Sequence, residues 1–92
     1  MNRSDILQEA EKIVTGNREQ EYGRPEENFR TIAEFWSTYM GITITPKDVG
    51  MMMALLKIAR IRTGFAKEDS FIDLAGYAAC AGEISTSSVA TK

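Results

Sequence analysis

The segment that most constrains this chain is 46–63, PKDVGMMMALLKIARIRT. Thr45 before it offers a capping oxygen, Pro46 presets the first helical φ, and Asp48 puts an acid at the positive end. Gly64 supplies the stop. Between these signals, Val49, Met52, Met53 and Leu56 fall on one side of a helix; Met51, Ala54, Leu55, Ile58 and Ile61 fall broadly opposite. A helix that is apolar on two sides is predicted to be sandwiched, either in the middle of the fold or between the fold and a partner subunit.

The remaining segments also read as helices. Ser4 is the expected N-cap of a first helix, with Ile6, Leu7, Ala10, Ile13 and Val14 at helical spacing and Gly16-Asn17 closing it. Residues 17–25 form a polar connection with room for a short helical turn. Pro25 then opens a second helix, with Glu26 and Glu27 at its N-terminal end. That helix carries Phe29, Ile32, Ala33, Trp36 and Met40 as one stripe and stops at Gly41. ITIT, 42–45, is too short for a strand and reads as an extended link. A last helix from Glu68–Ser70 to about Ile84 is rich in small residues, Ala75-Gly76-Tyr77-Ala78-Ala79-Cys80-Ala81-Gly82. Such residues let a neighbouring helix approach closely. The expected architecture is all-α, a compact four-helix bundle-like single domain over residues 1–84 with a polar tail at 85–92. Ninety-two residues bury a modest core, so self-association is expected to complete it, with the run Met51-Met52-Met53 in the core or at the subunit interface.

Charge and composition remove several classes of function. A net charge of −2 argues against a general nucleic-acid binder, which needs a dominant basic face. The absence of histidine removes the commonest general base and metal ligand. A single cysteine, Cys80, allows no intramolecular disulfide and fits a reducing compartment. The charged N-terminus is unlike a signal peptide, and no apolar run reaches the ~20 residues of a membrane span. A cytoplasmic home is expected.

Three groups carry potential chemistry. Lys57 and Arg60 are neighbours at the end of the third helix, with Arg62 toward the other face. Asp69, Asp73 and Tyr77 share one face at the start of the fourth. A short loop makes these two helices antiparallel neighbours, which brings the cations near the aspartates. The third group surrounds the start of the second helix: Tyr22, Arg24, Glu26, Glu27 and Asn28, beside backbone N–H groups that favour anions. The bland reading is a structural salt-bridge cluster with charges answering helix dipoles, Tyr77 and Trp36 serving as core. The functional reading is a nucleotide site. Lys57, Arg60, Arg24 and Arg62 would meet phosphates, and Tyr22 or Tyr77 would stack on the base, with Trp36 and Phe65 as further candidates. Glu26, Glu27, Asp69 and Asp73 are the carboxylates available to Mg²⁺.

The spaced string Tyr22-Gly23-x-Pro25-x-Glu27-Asn28-Phe29, Asp48, Lys57-x-x-Arg60 and Asp69-Ser70-x-x-Asp73-x-x-Gly76-Tyr77-Ala78 resembles a family of small phage and prophage proteins of unknown function. It is also similar to the phage nucleotide-modification-associated domains, and more distantly to the MazG-like all-α nucleoside triphosphate pyrophosphatases. That resemblance implies a helical fold, a nucleotide ligand and a bacterial host cytoplasm. The pyrophosphatases hold Mg²⁺ with an E-x-x-E helix motif and an E-x-x-D motif. Here Glu27 is followed three residues later by Arg30, and Asp69 and Asp73 are four apart. Three functions are therefore carried forward: a nucleotide-binding protein that hydrolyses its ligand as MazG-like enzymes do, a non-catalytic sponge for a linear or cyclic nucleotide signal of host immunity, and a structural or host-protein-binding module.

Overall fold

The computed structural model describes residues 1–17, 23–64 and 67–87. Helix α1 spans Arg3–Lys12 and is opened by Asn2 rather than Ser4. The Asn2 side chain accepts the Asp5 N–H at 2.8 Å, and the Asp5 carboxylate accepts the Asn2 N–H at 3.2 Å. Asn and Ser cap about equally well, but only Asn2 has an acid three residues on to complete this reciprocal pair. Ser4 lies inside the helix, where its Oγ accepts from Gln8 Nε2 at 3.1 Å. α1 runs on into a π-helical turn, Ile13–Asn17.

Helix α2, Pro25–Met40, begins at the proline and ends at Gly41, whose φ of 71° is the left-handed conformation that glycine adopts without strain. The link that follows is extended, as expected, and Ile44 within it is buried. Ser37 Oγ holds it there, accepting the Ile44 N–H at 2.8 Å and donating to the Ile44 carbonyl at 3.1 Å. Helix α3, Pro46–Arg62, carries the capping box read from its sequence: Thr45 Oγ1 accepts the Asp48 N–H at 3.2 Å, and Asp48 accepts the Thr45 N–H at 3.0 Å. Helix α4, Glu68–Thr86, continues two residues past the expected end at Ile84.

The chain is all-α among its described residues, with no strand. The α3–α4 pair forms the most extensive contact; α1 packs mainly on α4, and α2 mainly on α3. Gly50 lies against Ala81 and Lys57 against Asp73, which fixes α3 and α4 as antiparallel. The small residues of α4 do permit close approach, but at Ala81. A Cβ on Gly50 would stand 2.8 Å from the Ala81 Cβ. Gly82, by contrast, faces open space. Phe29, Ala33, Ile44, Val49, Cys80 and Ile84 form the core, and Trp36 packs against it.

The sandwiched reading of α3 needs correction within the chain. Val49, Gly50 and Ala54 are buried, with Met53, Lys57 and Ile61 half-buried beside them. Met52 and Leu56, grouped with Val49 from the sequence, are exposed together with Met51, Leu55 and Ile58. The core-facing arc falls between the two apolar sides, at one 100° step per residue, so it takes part of each.

Candidate functional site

A cleft open to solvent lies between α1 with its π-turn, the start of α2, and the middle of α4. Ala10, Ile13 and Val14 form its apolar wall. Pro25, Asn28 and Phe29 form the second wall, sharing one face of α2 at helical spacing. Ile72, Asp73, Gly76, Tyr77 and Cys80 form the third. These α4 residues recur every three or four positions and so share one face. Gly76 keeps the cleft open on the α1 side, where a Cβ would meet Val14 Cγ1 at 3.1 Å. The π-turn places Ile13 and Val14 on this wall; such turns often occur at functional sites.

The polar groups at the cleft are Asn28, Asp73 and Tyr77. The Tyr77 ring pairs with Phe29, centroids 6.3 Å apart and planes tilted by 31°, within the usual separation of aromatic pairs. Asp73 Oδ2 lies 3.0 Å from Lys57 Nζ, the Lys57 side chain being only 18% exposed. α3 contributes no lining residue to this cleft. Lys57 reaches the cleft only through Asp73.

The other sequence candidates scatter. Arg60 and Arg62 are exposed at the end of α3, and neither makes a side-chain hydrogen bond or ion pair among the described residues. Arg24 pairs with Glu26 at 3.3 Å on the surface at the start of α2. Glu27 is exposed one residue on, and Asp69 is exposed in the first turn of α4. Tyr22 and Phe65 lie outside the described residues. Trp36 serves the core. Asp48 is committed to the α3 cap, where the Thr45 backbone N–H, then the Thr45 hydroxyl, hold its carboxyl below the ordinary range.

The described residues do not form a clustered metal site. Among the described residues, no three of His, Cys, Asp and Glu come together as a group able to hold an ion. Glu26 is engaged by Arg24 and Asp73 by Lys57. The sequence anticipated Asn28, Asp73 and Tyr77. It gave no sign that Ala10, Ile13 and Val14 would face a cleft, because a cleft wall and a core stripe have the same periodicity. No helix among the described residues is long and apolar enough to cross a membrane.

Comparison with known proteins finds relatives among phage proteins. The Gene 55 protein of Mycobacterium phage D29 is 46% identical over 80 residues, covering 86% of this chain and 52% of that protein. The Gene 55 protein of Mycobacterium phage L5 is 47% identical over 74 residues, covering 79% of this chain and 47% of that protein. The chain thus spans about half the length of these relatives. No solved structure matches. The family model described as "Domain of unknown function (DUF6378)" matches residues 5–85, a span that includes every motif of the string beginning at Tyr22. The chain therefore belongs to the DUF6378 family and is similar to the Gene 55 proteins of mycobacteriophages D29 and L5.

Proposed function

We propose that the cleft binds a nucleotide-like small molecule, with the base between the apolar α1 wall and Tyr77, whose ring pairs with the core residue Phe29. The observation that carries this reading is the placement of Asp73 and Asn28 beside that aromatic pair in one open cleft. A carboxylate accepts hydrogen bonds, and a side-chain amide both donates and accepts, so together they can match the polar edge of a base. Small-molecule sites commonly combine a mostly apolar lining with a few convergent polar groups. Lys57 stands directly behind Asp73, and Arg60 follows within one helical turn. These cations suit phosphates extending from the cleft mouth, and Arg60 has its guanidinium free among the described residues.

Binding without turnover, as in a protein that sequesters a nucleotide signal of host immunity, agrees better with this donor set than MazG-like hydrolysis. Pyrophosphate chemistry of that kind relies on carboxylates gathered around Mg²⁺, and Glu26, Glu27, Asp69 and Asp73 do not gather. No hydrolytic step is derived for them.

Thermal-shift and calorimetric titrations with nucleosides, nucleoside triphosphates and cyclic nucleotides, with and without Mg²⁺, test the reading. Stabilisation without product release supports sequestration. Metal-dependent release of pyrophosphate supports the hydrolase. Asn28→Ala is expected to weaken binding of nucleosides and nucleotides alike, whereas Arg60→Ala is expected to abolish the nucleotide shift and leave nucleosides and the unliganded fold unaffected. If none of these compounds shifts the unfolding transition, the nucleotide reading falls and a protein-binding module remains.

A further inference from the structure

We propose that the outer face of α3 pairs antiparallel with the same face of a second copy, about a two-fold axis through Leu55. Leu55 is 60% exposed, and Met51, Met52 and Ile58 beside it are each more than 40% exposed. At 100° per residue these side chains fall within about 60° of Leu55, on the side away from the core-facing Gly50, Met53 and Lys57. Asp48 and Arg62 lie at the two ends of the same arc, and no charged residue of that arc lies between them. Single exposed apolar residues need no explanation, but a continuous seam of this kind does.

The charges at its ends identify the occupant. A two-fold axis at Leu55 sets Met52 against the partner's Ile58 and Met51 against the partner's Ala59. Seven residues out on either side, it sets Asp48 against the partner's Arg62. Asp48 is ionised through its cap, and Arg62 has no side-chain partner among the described residues. Antiparallel pairing also opposes the helix dipoles. A parallel pair in register would instead place Arg62 on Arg62 and Asp48 on Asp48. The seam is thus complementary to itself in one orientation, as an interface between two-fold-related copies must be. α3 gives no lining residue to the cleft, so this inference stands or falls separately from the nucleotide reading.

Sedimentation equilibrium of the purified chain over a range of micromolar concentrations tests the pairing. The expected result is a reversible dimer of twice the 10.2 kDa chain mass. Leu55→Lys places two ammonium groups on the axis and is expected to weaken association by about 30-fold or more, as for a central interface residue. Arg62→Glu is expected to weaken it by about tenfold, in line with one lost charge pair. Helical circular dichroism controls for folding, which substitution at these exposed positions should preserve. Under mild oxidation with diamide, Leu55→Cys should cross-link to itself and Arg62→Cys should not. A monomer throughout the concentration range overturns the proposal, including the case in which this face is covered by additional polypeptide in longer relatives. So does a dimer indifferent to both charge changes, or one in which Arg62→Cys cross-links to itself.

Discussion

Lys57 and Asp73 meet at 3.0 Å across the α3–α4 contact, the lysine largely shielded and the aspartate on the wall of the cleft. One ion pair therefore ties the most extensive helix contact to the candidate site. Replacing Lys57 with Met leaves Asp73 without its cation in a half-buried setting. The expected loss is about 1–2 kcal/mol, between the values for exposed and buried pairs. A urea double-mutant cycle with Asp73→Asn should return a coupling of about 1 kcal/mol. Additive effects would show that the pair contributes no net stability.

Gly50 and Gly82 should respond oppositely to alanine. Both lie within helices, where alanine is favoured over glycine by about 1 kcal/mol. At Gly82 nothing stands within 4 Å of a new Cβ, so Gly82→Ala should stabilise by about that amount. At Gly50 the new Cβ would stand 2.8 Å from the Ala81 Cβ and 3.3 Å from a Phe29 ring carbon. Overpacking of about 1–3 kcal/mol should exceed the propensity gain, so Gly50→Ala should lower the thermal midpoint.

Ser37 is a structural hydroxyl whose loss should cost more than a surface serine. Ser37→Ala removes the partner of both polar backbone groups of buried Ile44. Leaving them unmatched is expected to destabilise by about 1–3 kcal/mol in chemical denaturation. Ser37→Thr, which keeps the hydroxyl, should recover part of that loss if its extra methyl fits.

The α3 cap should make stability sensitive to acid. The folded protein holds the Asp48 carboxyl below its ordinary range through hydrogen bonds to Thr45. Its contribution is thus full above the unfolded-state value of about 3.9 and declines as pH falls through the lower folded value. Thr45→Ala should cost about 1 kcal/mol at neutral pH. Asp48→Asn should flatten the acid limb of stability measured from pH 6 downward, and an unchanged limb would mean that other carboxylates account for it.

The helices were legible in the sequence because local signals at their ends agree with the periodicity between them. Pro25, Gly41 and the Thr45–Asp48 box each act where they were read. The α3–α4 hairpin followed from its short loop, and with it the meeting of Lys57 with Asp73. Arg60 did not join them; three residues on, it sits about 60° round the helix from Lys57 and is exposed. The cleft itself was hidden. Ala10, Val14 and Cys80 satisfy the same apolar pattern whether the space between them is filled or open. Ser37 was equally silent, since its partner lies seven residues away across a turn.

The paired helices α3 and α4 act as a spine, with α1 and α2 as leaves resting mainly on one spine helix each. Resistance to amide exchange should be greatest along that spine and fall away toward α1, whose departure exposes less apolar surface. A molecule seated between α1, α2 and α4 would fasten the loosest leaf to the rest, so occupancy should register first as slowed deuterium uptake in residues 3–14.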